Sequence, residues 1–188
     1  MTRPAEPLAL ASPSTSDSEA LIETLSARLL NGDSATTVLE GWCGERGLAV
    51  QPLLVARRVA GPDRRPTALQ NERLKLLSGE AVRYRHVRLS CGPHILSEAE
   101  NWYVPARLTE EMNRLLDATE APFGRVVHAL SPTRRNLGVD RLWDAASGIP
   151  GPSDLILSIQ AILTDRSGRP ICEVSETYTG ANLARGEA

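Results

Sequence analysis

The side chains best suited to hold a small acid fall in two short stretches. The first, AVRYRHVRLSC at residues 81–91, carries Arg83, Arg85, His86 and Arg88. Its polar–apolar alternation is that of a strand with one buried face. His86 and Arg88 then share one face, and Arg83 and Arg85 the other. A guanidinium brought inside needs an anion, because an unpaired buried charge is very costly. A ligand carboxylate held bidentately meets that need. The competing reading leaves all of these groups in solvent on an exposed sheet face. The second stretch, CEVSETY at residues 172–178, carries Glu173 and Glu176. On a strand, Glu176 shares a face with Val174 and Tyr178, and Glu173 with Ser175 and Thr177. A carboxylate on an apolar face either pairs with an arginine or works on a ligand. A register slip or bulge would instead turn it to water.

A third stretch joins them. Asn101-Trp102-Tyr103-Val104-Pro105, a short amphipathic segment and Pro122-Phe123-Gly124-Arg125 read as one wall of a pocket for a small aromatic acid. The Pro-Phe-Gly-Arg turn is predicted to offer backbone N–H groups to an anionic or hydroxyl group.

Other chemistries lack support. Cys43, Cys91 and Cys172 are far apart, with no Cys-x-x-Cys, so neither a zinc site nor a disulfide framework is expected. Reduced thiols and a cytoplasmic location follow. His94 and His128 have no metal-ligand spacing and read as ordinary surface or strand histidines. Hydrolase, dehydrogenase and phosphate-loop motifs are missing, so no metal and no cofactor are expected. The net charge of -2 invites no nucleic acid. The arginines of residues 64–77 and 131–143 are interspersed with acids and read as solvated loops. No apolar run approaches the roughly 18 residues that span a bilayer. The expected partner is a small aromatic or enolpyruvyl carboxylic acid, with no nucleic acid and no membrane, bound by a monomer.

The elements that must position these residues follow from periodicity. The chain has 188 residues, 41% of them hydrophobic, enough for one domain with a real core. Residues 1–16 read as a disordered tail of Pro, Ser and Thr, and 17–188 as the domain. Helices are predicted at 17–31, capped by Ser16 or Asp17, and at 34–45, burying Val38, Leu39 and Trp42. Residues 48–58 read as extended, 68–77 as a short helix, and 95–104 as a strand returning from 81–91 through a Gly-Pro turn. Thr109 is placed as the cap of another helix. Residues 154–165 and 170–179 form a second hairpin through Ser167-Gly168. Helices first and hairpins later define a single α+β domain with a mainly antiparallel sheet and helices packed on one side.

In their order these features resemble the chorismate lyase family. An Arg-rich strand runs through Cys91 and a glycine turn into a strand ending Val104-Pro105. Pro122-Phe-Gly-Arg-Val resembles the family's Pro-Leu-Gly-Arg turn. Ser167-Gly-Arg-Pro170 followed by Ser175-Glu-Thr-Tyr178 resembles its Ser-Gly-Lys-Pro and Thr-Glu-Leu-Phe. The similarity covers roughly residues 80–183. It implies an internal cavity closed by helical flaps and cofactor-free elimination of pyruvate from chorismate or a related enolpyruvyl acid, giving 4-hydroxybenzoate. It further implies a strand arginine holding a carboxylate, an acid on the last strand facing the ring hydroxyl, and backbone contacts from the glycine turn. Counted from Cys91, the strand arginine falls on His86, flanked by Arg85 and Arg88. A second pocket arginine is replaced by Asn101, and Phe123 stands where the family has Leu. The resulting expectation makes Arg88 and Glu176 catalytic. Arg85, His86, Asn101, Phe123, Gly124, Arg125 and Glu173 contact the substrate. Two rivals stay open: a non-catalytic binder of small aromatic acids on the same fold, and a core filled by its own side chains.

Overall fold

A computed structural model describes residues 14–186. Its first helix, α1 (Thr15–Asn31), begins at Ser14, whose hydroxyl accepts from the Asp17 N–H while the Asp17 carboxylate reaches back to the Ser14 N–H. Asp17 is thus the returning half of a capping box and not the cap itself. Ser18, Ile22, Leu25 and Leu29 recur at helical spacing and are buried. The expected tail lies outside the described residues up to position 13, and Thr15 and Ser16 belong to α1. Helix α2 (Ala35–Glu45) starts at its Ser34 cap and buries Leu39, Trp42 and Cys43.

Six strands form one sheet in the order β1-β2-β3-β6-β5-β4. They are β1 (Leu54–Arg58), β2 (Arg83–Cys91), β3 (His94–Tyr103), β4 (Thr133–Arg141), β5 (Leu155–Thr164) and β6 (Pro170–Thr179). Every neighbouring pair is antiparallel. The expected α+β architecture with a largely antiparallel sheet is therefore present. Gly92 turns β2 into β3 with φ of 54°, and an added Cβ there would stand 3.0 Å from the Ala49 Cβ. Leu89 pairs with Ser97 but Ser90 with Ile95, so Leu96 is an extra residue in β3.

The main core lies between one sheet face and α1, α2, α4 (Glu110–Ala118) and α5 (Phe123–Val126). Thr109 caps α4 as predicted, accepting from the Met112 N–H. The short helix α3 (Ala68–Leu74) instead sits with a smaller cluster, Leu74, Trp102 and Val104. Arg107 ties this region together. It donates to both oxygens of Glu80 and to the carbonyls of Leu74, Lys75 and Pro170.

Three expectations need correction. Only residues 54–58 of the extended segment 48–58 pair as a strand, and Val50 is fully exposed. Residues 131–143 are not a loop: they contain β4, an edge strand whose side chains are mostly exposed, so no apolar alternation betrays it. Finally, Cys43 and Cys91 form a disulfide across 48 residues of sequence, and Cys172 alone is free and buried. Spacing could not show this pair, because the end of α2 meets the end of β2 only in the folded chain. Among the described residues, no helix is long and apolar enough to cross a membrane.

Candidate functional site

A cavity of about 540 Å³ lies between the inner sheet face and the helical layer. Its sheet side is Val87 and Leu89 of β2, Ala99 and Asn101 of β3, Val174 and Glu176 of β6, Leu163 of β5 and Arg134 of β4. Its opposite side is the first turn of α2, residues 34–38, with Phe123 and Gly124 at the start of α5. Most of these walls are apolar. The polar groups are few, the pattern of a small-molecule site.

Glu176 sits on the cavity face, as the alternation with Val174 and Tyr178 required. Its partner is Arg134, whose Nη2 donates to Glu176 Oε2 at 2.6 Å; the two side chains are 3% and 7% exposed. The Tyr178 hydroxyl donates to the same oxygen at 2.9 Å. Arg134 Nε donates to Asn136 Oδ1 at 3.1 Å, and Asn136 Nδ2 donates to the Leu30 carbonyl at 2.9 Å. The acid is thereby braced through β4 to the end of α1. Burial pulls the Arg134 pKa down, but Glu176 and Tyr178 outweigh it and hold the guanidinium above its ordinary value. Burial, then Glu176, pushes the Tyr178 phenol well up, so it stays a donor. Arg134 is absent from the expected site, because the charges of both signs interspersed in its stretch give it the composition of a solvated segment. The one available signal was the need of a buried Glu176 for a cation.

The second polar feature is α2. Its first turn holds no acidic residue. The Thr37 N–H reaches the Ser34 hydroxyl at 3.4 Å, and the Ala35 and Thr36 N–H groups have no partner among the described residues. Free N–H groups and the helix dipole make such an end favourable to an anion. The exposed Asp33 precedes it at the cavity edge. Gly124 packs directly against this turn: an added Cβ would stand 2.8 Å from Thr36 Oγ1 and 3.0 Å from Ser34 Oγ. Asn101 is 3% exposed and lines the cavity. It also lies beside the Cys172 thiol, whose pKa burial raises well above its ordinary value.

The predicted residues are not all brought together. Asn101, Phe123, Gly124 and Glu176 line the cavity. Arg88 does not: it lies on the outer face, half exposed, with Nε donating to Glu98 Oε2 at 2.9 Å. His86 shares that face and meets Glu98 Oε1 at 2.6 Å. Both line a separate outer cleft of about 450 Å³. Counting from Cys91 to His86 therefore picked the wrong face; Arg85 is the inward residue, paired in register with Asn101. Arg85 is completely buried. Its Nη2 donates to the Ala121 carbonyl at 3.0 Å, while Nε and Nη1 have no partner among the described residues. Burial and the nearby Arg58 push its pKa down to about 10. Arg125 is exposed and paired with Glu40, holding α5 to α2 and away from the cavity wall. Glu173 is on the outer face, 3.1 Å from Arg73. His128, read as an ordinary histidine, is exposed but contributes to the cavity wall.

An antiparallel sheet covering an internal cavity with helices is the chorismate-lyase-like fold. Two solved structures from Mycobacterium smegmatis share it. One is PhnF, with TM-score 0.54, 14% identity, and coverage of 90% of this chain and 84% of that one. The other is the effector domain of PhnF, with TM-score 0.52, 16% identity, and coverage of 79% and 89%. In sequence, a Sinorhizobium fredii protein described as "Uncharacterized protein y4mC" is 41% identical over 175 residues, covering 85% of this chain and 74% of that protein. The chain belongs to the same family as that protein. No family model matches the chain.

Proposed function

We propose that this protein binds a small carboxylic acid in the cavity beneath α2 and releases it unchanged. The observation that carries the reading is the first turn of α2. It opens unpaired N–H groups, with no acidic residue in that turn, into an otherwise mostly apolar chamber of about 540 Å³. An anionic group is favoured at that turn. An aromatic or aliphatic body would fill the space between Val87, Leu89, Phe123 and Val174, and Asn101 would offer it a hydrogen bond. Arg134 and Glu176 neutralise each other, so together they suit a neutral polar substituent such as a hydroxyl. Arg85, buried with two unpaired nitrogens and paired in register with Asn101, supports a second acidic contact beside the cavity wall. The likeness to an effector domain supports binding without turnover, though it rests on the fold alone.

The catalytic alternative, elimination of pyruvate from chorismate, has less behind it. Arg88 faces the outer cleft, and Glu176 is already bound by Arg134 and Tyr178. One experiment separates the readings. Thermal unfolding is followed with a panel of small carboxylic acids, 4-hydroxybenzoate among them, and pyruvate is assayed after incubation with chorismate. Stabilisation that rises with acid concentration, without pyruvate, is the expected result. Pyruvate release that scales with protein overturns the non-catalytic reading. A panel in which no acid stabilises, or in which neutral amides do so equally well, overturns the acid site.

A further inference from the structure

The disulfide joins the two sides of this cavity. Cys43 lies in α2, whose first turn forms one wall; Cys91 ends β2, whose Val87 and Leu89 form the other. Both cysteines are 0% exposed, and their Cα atoms are 6.5 Å apart. A bonded pair of sulfurs sits about 2 Å apart. Two thiols in van der Waals contact need a gap on the order of 3.5 Å or more. Protein interiors are close-packed, so that expansion presses on the surrounding side chains. Reduction therefore loads the contact between α2 and β2 where the two cysteines meet. The far end of α2 is pinned, because Trp42 Nε1 donates to the Asn182 carbonyl at 2.9 Å, and Arg46 donates to the carbonyls of Ala184 at 2.7 Å and Leu183 at 2.6 Å. The other end is the first turn, over the cavity, where α5 meets it through Gly124 and the Arg125–Glu40 pair.

We propose that the Cys43–Cys91 bond is a redox latch that sets how tightly the first turn of α2 closes the cavity. Opening it takes a dithiol reductant. The S–S bond breaks, two thiols form on the chain, and the reductant leaves as its own disulfide. Electrons and protons balance in that exchange. Cys172, buried on β6 with its thiol pKa raised, takes no part. The effect on a bound acid rests on the reading given above; the movement of α2 does not.

The test needs no ligand. Protein purified in air is denatured and alkylated before and after dithiothreitol, and its intact mass is measured. One alkylated cysteine before reduction and three after is the expected result, from the 3 Cys in the chain. Three before reduction overturns the latch. Hydrogen exchange is then compared between oxidised and reduced protein. Amides of residues 37–40, the first hydrogen-bonded ones of α2, are expected to exchange on the order of tenfold faster when reduced, with the β5–β6 hairpin unchanged. No change at residues 37–40, or an equal acceleration everywhere, overturns the proposal. A Cys43→Ala/Cys91→Ala variant should exchange at the reduced rate with or without dithiothreitol. Should that variant fail to fold, the wild-type comparison still decides.

Discussion

Replacing Arg134 by methionine would leave the Glu176 carboxylate, 7% exposed, with only the Tyr178 hydroxyl. Breaking one half of a buried ion pair costs about 3–5 kcal/mol. The pair borders the cavity, where water can enter, so the lower end, about 3 kcal/mol, is the better figure. Glu176→Met leaves the guanidinium uncompensated and should cost a similar amount. The double variant removes both charges and both desolvation costs. It should fall within about 1 kcal/mol of wild type, far less than the two single losses added. The assay is urea unfolding by tryptophan fluorescence, which the 3 Trp of the chain make convenient. In thermal unfolding, each single variant should lose roughly 10 °C. Single losses under about 1 kcal/mol, or a double loss equal to their sum, would mean the pair is solvated and uncoupled, and the reasoning from burial fails.

Gly124→Ala should cost about 1–3 kcal/mol, because its Cβ would crowd Thr36 and Ser34, and it should weaken stabilisation by any acid that protects wild type; thermal unfolding with and without that acid measures both. Arg85→Met removes a buried guanidinium with two unpaired nitrogens, so the ligand-free protein should be as stable as wild type or more so while its response to acids falls. Hydrogen bonds from Arg107 and the Leu77 N–H lower the Glu80 pKa from 4.5 to about 2. A depressed carboxyl stabilises the fold above its unfolded value, so this contribution should fade as pH falls from 4.5 towards about 2. Glu80→Gln should flatten that part of the melting temperature against pH.

Much of the fold was legible. The stripe of Ile22, Leu25 and Leu29, the Thr109 cap, and the two hairpins are local features, fixed by helical spacing, cap chemistry and turn residues. Glu176 was placed on the correct face for the same reason, since residues 172–178 of β6 pair with β3 in unbroken register. The site was less legible. Arg88 and Arg85 differ only in parity along β2, and an offset of one residue in aligning the family's strand motif exchanges the two faces. β4 escaped notice because an edge strand exposed along most of its length has no apolar face to announce it.

From its sequence alone this chain is an α+β protein with an antiparallel sheet, a helical layer, and an acid turned inward near its end. These are matters of periodicity and short-range chemistry. Tertiary structure alone decided that Arg134 meets Glu176, that Cys43 meets Cys91, and that the first turn of α2 opens over the cavity. Each of these contacts joins residues brought close by packing one layer or strand on another, and nothing in their sequence separation specifies it.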